Sequence, residues 1–243
     1  MDAGDYLEAI GRESDALSQA ARESLHAPVP SCPEWTVRDL VEHMGFVDRA
    51  WTERVARRLQ DRASLDLGDA PQDGLVDWFD EGARRLQKVL SNADPSERVW
   101  TWSHQKNVAF VQRRMAQETT VHRWDCQAAV GSPEPIKPAL AADGVDEFLD
   151  IIAPATWQRS EQPRKGGGQL IHMHQTDGDG EWLLRLAVDG LQIERGHAKG
   201  DAAVRGTASD LLLLLWRRKT PSELEVFGDG TVLERFLSWA DLT

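Results

Sequence analysis

Three side chains able to bind a proton or a metal ion share one face of a predicted helix in M-A-Q-E-T-T-V-H-R-W-D, residues 115–125. Glu118 and His122 are four residues apart, which on a helix brings their Cβ atoms to about 5–6 Å, so both can reach one ion. Asp125 follows His122 by roughly one turn and is a candidate to orient its imidazole. The alternatives are a solvated Glu–His contact and a helix-end role for Asp125.

A third candidate ligand, His43, lies beside the apolar stripe of an earlier predicted helix. If the two helices pack side by side, two imidazole nitrogens and one carboxylate would bind a zinc-like ion and leave one coordination position open for water or substrate, as in catalytic zinc sites. The alternative is a histidine that packs in the core without a metal.

Apolar residues at mixed three- and four-residue steps predict that the first part of the chain is helical. Thr36 with Asp39 predicts a capping box at the start of the second helix. The predicted helices cover about 4–26, 36–59, 75–90 and 108–130, with an extended proline-rich connection at 27–35 and a G-S-P-E-P stop at 131–135.

The pattern changes after these prolines, because alternating apolar residues then predict strands. We expect a helix at about 138–152, a glycine-rich linker at 163–169, and then L-I-H-M-H-Q-T, E-W-L-L-R-L-A-V and, after a D-G turn, L-Q-I-E-R as strands. A helix capped by Ser209, a strand in L-E-V-F-G and a closing helix follow. The predicted fold class is therefore α+β, with a helical domain at 1–152 and a smaller α+β domain at 168–243.

Bulk composition excludes several classes of function. A net charge of -12 repels nucleic-acid backbones and anionic membrane surfaces. The two cysteines, Cys32 and Cys126, are too few for a disulfide framework and are expected to pack rather than react. With no signal-peptide pattern at the start, we expect a cytoplasmic protein that is a monomer or a small homo-oligomer and has neither nucleic-acid nor membrane partners.

Two longer motifs carry a resemblance to a known family. The stretches C-P-E-W-T-V-R-D-L-V-E-H-M-G, residues 32–45, and F-V-Q-R-R-M-A-Q-E-T-T-V-H-R-W-D, residues 110–125, resemble the amino-terminal domain of the mycothiol-dependent maleylpyruvate isomerase family, within the DinB/YfiT-like superfamily. H-M-H-Q-T-D-G-D-G-E-W and D-A-A-V-R-G-T-A-S-D-L-L-L-L-L-W resemble its carboxy-terminal domain. The resemblance implies a DinB-like four-helix bundle whose divalent metal is bound by His43, Glu118 and His122. Gln117 stands where many relatives have a histidine.

The resemblance also implies a function, in which a metal-activated thiolate of mycothiol attacks a small electrophile. In cis–trans isomerisation the thiolate would add to the double bond, the resulting single bond would rotate, and the thiolate would leave. Zinc suits the mixed nitrogen and oxygen ligands, although nickel or iron would accept them. The alternatives are a mycothiol S-transferase in detoxification or natural-product biosynthesis, and a noncatalytic metal- or ligand-binding module.

Substrate carboxylates would need cations, and the nearest in sequence are Arg113, Arg114 and Arg123. We favour one of Arg113 and Arg114, with solvated surface arginines as the alternative. His172 and His174 alternate onto one face of a predicted strand, but no carboxylate or third histidine is obviously placed to complete a metal site there. We therefore assign both, with Arg205, to the cleft where the resemblance places the thiol.

Overall fold

The structure is a computed structural model that describes residues 1–159 and 166–239. The α+β fold class expected from the sequence is confirmed: a helical part precedes a mixed five-stranded sheet. Contacts divide the chain into two compact units, Met1–Glu134 and Pro135–Thr243. The segment 135–152, which the sequence analysis assigned to the first domain, therefore packs with the second unit. Within the described residues, no helix has the length and apolar character required to cross a membrane.

The first unit, described in full, is built from four long helices. Both α1 and α2 contact α3 and α4, which places α2 and α4 side by side. The Thr36–Asp39 capping box is present, and Asn107 caps α4 by accepting a hydrogen bond from the backbone N–H of Phe110. The helices are α1 (Ala3–Ala21), α2 (Val37–Ala56), α3 (Leu75–Asn92) and α4 (Val108–Ala129).

Two helix ends differ from the prediction, and each has a local cause. Helix α1 stops at Ala21 rather than near 26, and the carbonyls of Leu25 and Ala27 beyond its end accept hydrogen bonds from the N–H groups of Arg38 and Val37 at the start of α2. Helix α2 stops at Ala56 rather than near 59, and the chain then passes through a left-handed conformation at Arg58, with φ 51°. The sequence pattern therefore predicted these helices but placed the ends of α1 and α2 too late in the chain.

The second unit packs helices against one mixed sheet. Its helices are α5 (Pro138–Glu147), α6 (Ala153–Arg159), α7 (Ala208–Leu215) and α8 (Gly230–Trp239), and a π-helical turn joins α5 to α6. The strands are β1 (Gln169–Gln175), β2 (Glu181–Ala187), β3 (Gly190–Arg195), β4 (Ala202–Gly206) and β5 (Glu225–Gly228). The sheet order is β3-β2-β1-β4-β5, with only β1 and β4 parallel among these strands.

Strand β4 was not predicted, and the predicted cap of α7 was wrong. Thr207, not Ser209, is the N-cap, and its hydroxyl accepts the N–H of Asp210. The Ser209 hydroxyl instead accepts the backbone N–H of Ile136. Ser209, the second residue of α7, thus binds the segment that leads into α5.

Gly45 lets α2 approach α3 closely. A Cβ atom on Gly45 would lie 2.0 Å from the ring of Trp78, which is itself covered by the Arg49 guanidinium, 3.7 Å from a ring centroid. Gly45 lies on α2, the helix that also carries His43, and its missing side chain leaves room for the indole of Trp78 on α3.

We expect Gly45→Ala to lower the free energy of unfolding by up to about 2 kcal/mol. Overpacking against Trp78 costs about 1–3 kcal/mol, and the better helix propensity of alanine offsets about 1 kcal/mol. Urea denaturation of both proteins measures the change. In a Trp78→Ala background the same substitution should become neutral or stabilising; an equal loss in both backgrounds would contradict the packing account.

Candidate metal centre

Helices α2 and α4 bring His43, Glu118 and His122 to one point. The Nε2 atoms of His43 and His122 lie 3.4 and 3.5 Å from Oε1 of Glu118. One potential ligand atom from each residue lies within 4.8 Å of the other two. Two imidazole nitrogens and one carboxylate at these separations can close around a single divalent ion after small side-chain adjustments, leaving a coordination position open.

The second oxygen of Glu118 is bound by Arg114. A guanidinium nitrogen of Arg114, a residue only 4% exposed, lies 3.0 Å from Oε2. Burial alone would raise the pKa of Glu118, but hydrogen bonds from His122 and His43 and the charge of Arg114 hold it well below its usual range. The carboxylate therefore stays ionised, the form in which it can bind a metal.

His122 is oriented by a hydrogen-bonded chain of side chains. Its Nδ1 lies 3.0 Å from Oδ2 of the fully buried Asp125, and the Ser31 hydroxyl donates to Oδ1 at 2.5 Å. Without a metal, burial lowers the pKa of His122, but Asp125 and Glu118 outweigh it and raise the pKa to about 9. Since Nδ1 is committed to Asp125, Nε2 is the nitrogen that faces the site and can lose its proton to a metal.

The proline-rich connection before α2 covers the two imidazoles. The Trp35 ring centroid lies 5.0 Å from that of His43 and 6.3 Å from that of His122. The backbone N–H of Val29 donates to the carbonyl of Trp35, and the N–H of Trp35 donates to the carbonyl of Cys32, which closes this segment into a compact loop. The loop thus delivers both Trp35 and Ser31 to the site, and neither was predicted as a site residue.

Two family profiles match the chain in succession. The profile described as the mycothiol maleylpyruvate isomerase N-terminal domain matches residues 7–127, and the one described as the MDMPI C-terminal domain matches residues 139–235. The chain belongs to the mycothiol-dependent maleylpyruvate isomerase family.

Solved structures agree with this assignment at the level of the fold. The crystal structures of a mycothiol-dependent maleylpyruvate isomerase and of a single-residue mutant of it each match with a TM-score of 0.64 and 10% sequence identity, over 93% of both chains. No curated protein matches the sequence. At this identity, the structural matches show a shared isomerase-family fold and nothing finer.

Asp48 is a further buried acid in the helical unit that the sequence analysis overlooked. It is 1% exposed, and both carboxylate oxygens lack a hydrogen-bond partner among the described residues. Burial raises its pKa well above the usual range; Arg49 opposes the rise and the charge of Glu118 adds to it. Burial therefore favours the neutral, protonated form of Asp48. Asp48 lies four residues after Met44 on the apolar stripe of α2, and this position in the sequence could have predicted its burial.

The candidate arginines separate clearly. Arg114 contacts Glu118, whereas Arg113 is half-buried and points about 100° away around the helix. Arg123 is bound elsewhere: its Nε donates to Glu13 at 2.7 Å, and a terminal nitrogen donates to Gln127 at 2.8 Å. Arg123 therefore joins α4 to α1 instead of serving the site.

The predicted residues of the second unit meet partners that were not foreseen. His174 on β1 is opposite Glu181 on β2, and His172 also contacts Glu181, together with His197 from the segment after β3. The expectation that no carboxylate or third histidine completes this pair was wrong, because β2 and the end of β3 return to β1. Arg205 is adjacent to His174 in register, but its guanidinium lies 3.4 Å from Glu225.

Cys126 follows Asp125 and is packed in the core. Its Sγ lies 3.7 Å from the carbonyl oxygen of Leu17, and burial, with the charges of Asp125 and Glu23, raises the pKa of the thiol to about 12. A thiol in this environment is not a nucleophile at neutral pH.

We therefore expect the native protein at pH 8 to react with a disulfide reagent through at most one thiol, that of the half-buried Cys32. The unfolded protein should react through two. Reaction of Cys126 in the native state at the rate of a free thiol, followed by mass spectrometry of the labelled peptides, would contradict this assignment.

Proposed function

We propose that this chain is a metal- and mycothiol-dependent enzyme that isomerises a small cis-unsaturated electrophile of the maleylpyruvate type. The convergence of His43, Glu118 and His122 supports the proposal. The family profile that matches this part of the chain, named for a mycothiol maleylpyruvate isomerase, also supports it. We assign these three residues as the metal ligands and zinc as the preferred ion, since its shell commonly mixes imidazole and carboxylate.

The donor set fits a divalent ion, because an ionised carboxylate and two imidazoles place one potential ligand atom each within 4.8 Å of the others. An ion bound there would lower the pKa of a coordinated thiol, so that the thiol is present as thiolate at neutral pH. Zinc has no redox chemistry, and the proposed isomerisation requires none.

The surrounding residues position these ligands. Arg114 fixes the rotamer of Glu118 by binding Oε2, so that Oε1 faces the histidines. Asp125, itself held by Ser31, selects the tautomer of His122 that leaves Nε2 free to bind. Trp35 covers the rings on one side and restricts water there.

The proposed isomerisation consumes no reagent, because the thiol is released unchanged at the end. The thiolate sulfur forms a bond to one alkene carbon, and the π electron pair moves onto the conjugated carbonyl. Rotation about the new single bond follows; the electron pair then returns, the carbon–sulfur bond breaks, and the trans product and thiolate leave. Binding of the substrate carboxylates by one of Arg113 and Arg114, and of the thiol by Arg205, stays a prediction. His172 and His174, also predicted to bind the thiol, lie in the cluster with Glu181 and His197.

Removing a ligand should remove one equivalent of bound metal. We expect His43→Ala and Glu118→Ala to lose it with unchanged helical circular dichroism, because the site is partly open: the His43 side chain is 34% exposed. His26→Ala and His104→Ala, at exposed histidines outside either cluster, are matched controls. Elemental analysis measures the change; full metal content in Glu118→Ala would refute the ligand assignment.

Removing the hydrogen bond between Asp125 and His122 should affect metal binding less than removing a ligand does. Asp125→Asn should reduce metal affinity by roughly 10–100-fold without abolishing binding, since it perturbs the tautomer of His122 while keeping all three ligands. Competition with a chromophoric chelator measures the affinity. An unchanged affinity would show that Asp125 has only a packing role.

Incubation of the metal-loaded protein with mycothiol and maleylpyruvate tests the activity. Isomerisation predicts the trans product with catalytic, unconsumed thiol and no product when thiol is omitted. A stable thiol adduct would instead identify an S-transferase, and tight thiol binding without turnover would identify a binding module. Either of the last two results overturns the isomerase proposal.

A further inference from the structure

A second group of potential metal ligands lies on the sheet of the second unit. His172 and His174 are two residues apart on β1, so both side chains project from the same sheet face. Glu181 begins β2 directly opposite His174 in the antiparallel register. His197 follows β3, two residues after its last residue, Arg195.

The four side chains are in contact. His174 Nδ1 lies 2.6 Å from Oε1 of Glu181, His197 Nδ1 lies 3.4 Å from the same oxygen, and His172 Nε2 contacts Oε2. The rings of His172 and His197 meet edge to face, with centroids 4.6 Å apart. One ligand atom from each residue lies within 4.8 Å of the other three.

Backbone geometry brings His197 back to this face. The N–H of Gly196 donates to the carbonyl of Glu181 at 3.1 Å, and Gly196 has φ 155°. Glycine reaches this positive φ without steric cost, which turns the chain after β3 toward β1. The juxtaposition of three imidazoles and a carboxylate is therefore built from three segments of one sheet.

We propose that His172, His174, Glu181 and His197 form a second divalent-metal site, of the closed four-ligand type that zinc occupies. Three imidazoles and one carboxylate supply the complete set for a tetrahedral ion, whereas the helical site supplies three ligands and leaves one position open. One nitrogen each of His172, His174 and His197 faces a carboxylate oxygen of Glu181, so an ion would lie between groups that already converge.

Such an ion would cross-link β1, β2 and the segment after β3. Its role is to stabilise this sheet, since an ion that binds only the folded state raises the stability of that state. His197 is the most accessible ligand, with its side chain 73% exposed, whereas the His172 side chain is 8% exposed. Exchange of the ion is therefore expected from the His197 side.

The test uses Glu118→Ala full-length protein, in which the helical site is disabled, so that this proposal and the proposed function can fail separately. We expect this protein to bind one equivalent of zinc, to give the visible absorption of tetrahedral cobalt(II) when cobalt replaces zinc, and to show a higher Tm with zinc than without it.

In that background, His174→Ala and His197→Ala should each weaken zinc binding by more than about tenfold and remove the cobalt bands. Because the His197 side chain is largely exposed, His197→Ala should not unfold the protein, so its loss of zinc reports on the ligand alone. His104→Ala is the matched control. Absence of zinc binding to the Glu118→Ala protein, or binding that survives both His174→Ala and His197→Ala, would overturn the proposal.

Discussion

The first unit depends on an ionised carboxylate, Glu118, placed between two packed helices. The Glu118 side chain is 24% exposed, so water solvates its charge only in part and the remaining solvation must come from protein groups. The structure compensates this charge from both sides: imidazoles of α2 and α4 face one oxygen and Arg114 binds the other. Close approach of α2 to α3 at Gly45, and burial of α4 against α1, fix the backbones that hold these groups.

The two histidine clusters show how different elements build different coordination chemistry. Helical spacing of four residues places Glu118 and His122 on one face, and a neighbouring helix adds one ligand, which leaves an open position. A strand places His172 and His174 on one face, and two further segments of the sheet close the set. Five of the seven histidines of the chain belong to these clusters.

Local patterns predicted the parts of the site that are local in sequence. Periodicity gave the four helices of the first unit, and the E-x-x-x-H spacing gave two of the clustered residues. The residues that pack against the ligands could not be predicted from local patterns. Ser31 and Trp35 lie in a loop whose path depends on backbone pairing between residues 28 and 36. Glu181 and His197 join their cluster through strand register and a glycine turn, which involve residues distant in sequence.

The central claim is that α2 and α4 together bind one metal ion, and anomalous X-ray diffraction from a zinc-loaded crystal at the zinc edge tests it most directly. The account predicts a peak in the first unit within about 2.0–2.2 Å of His43 Nε2, Glu118 Oε1 and His122 Nε2. A zinc-loaded crystal with no peak among these three atoms, or with their side chains pointing apart, would contradict it.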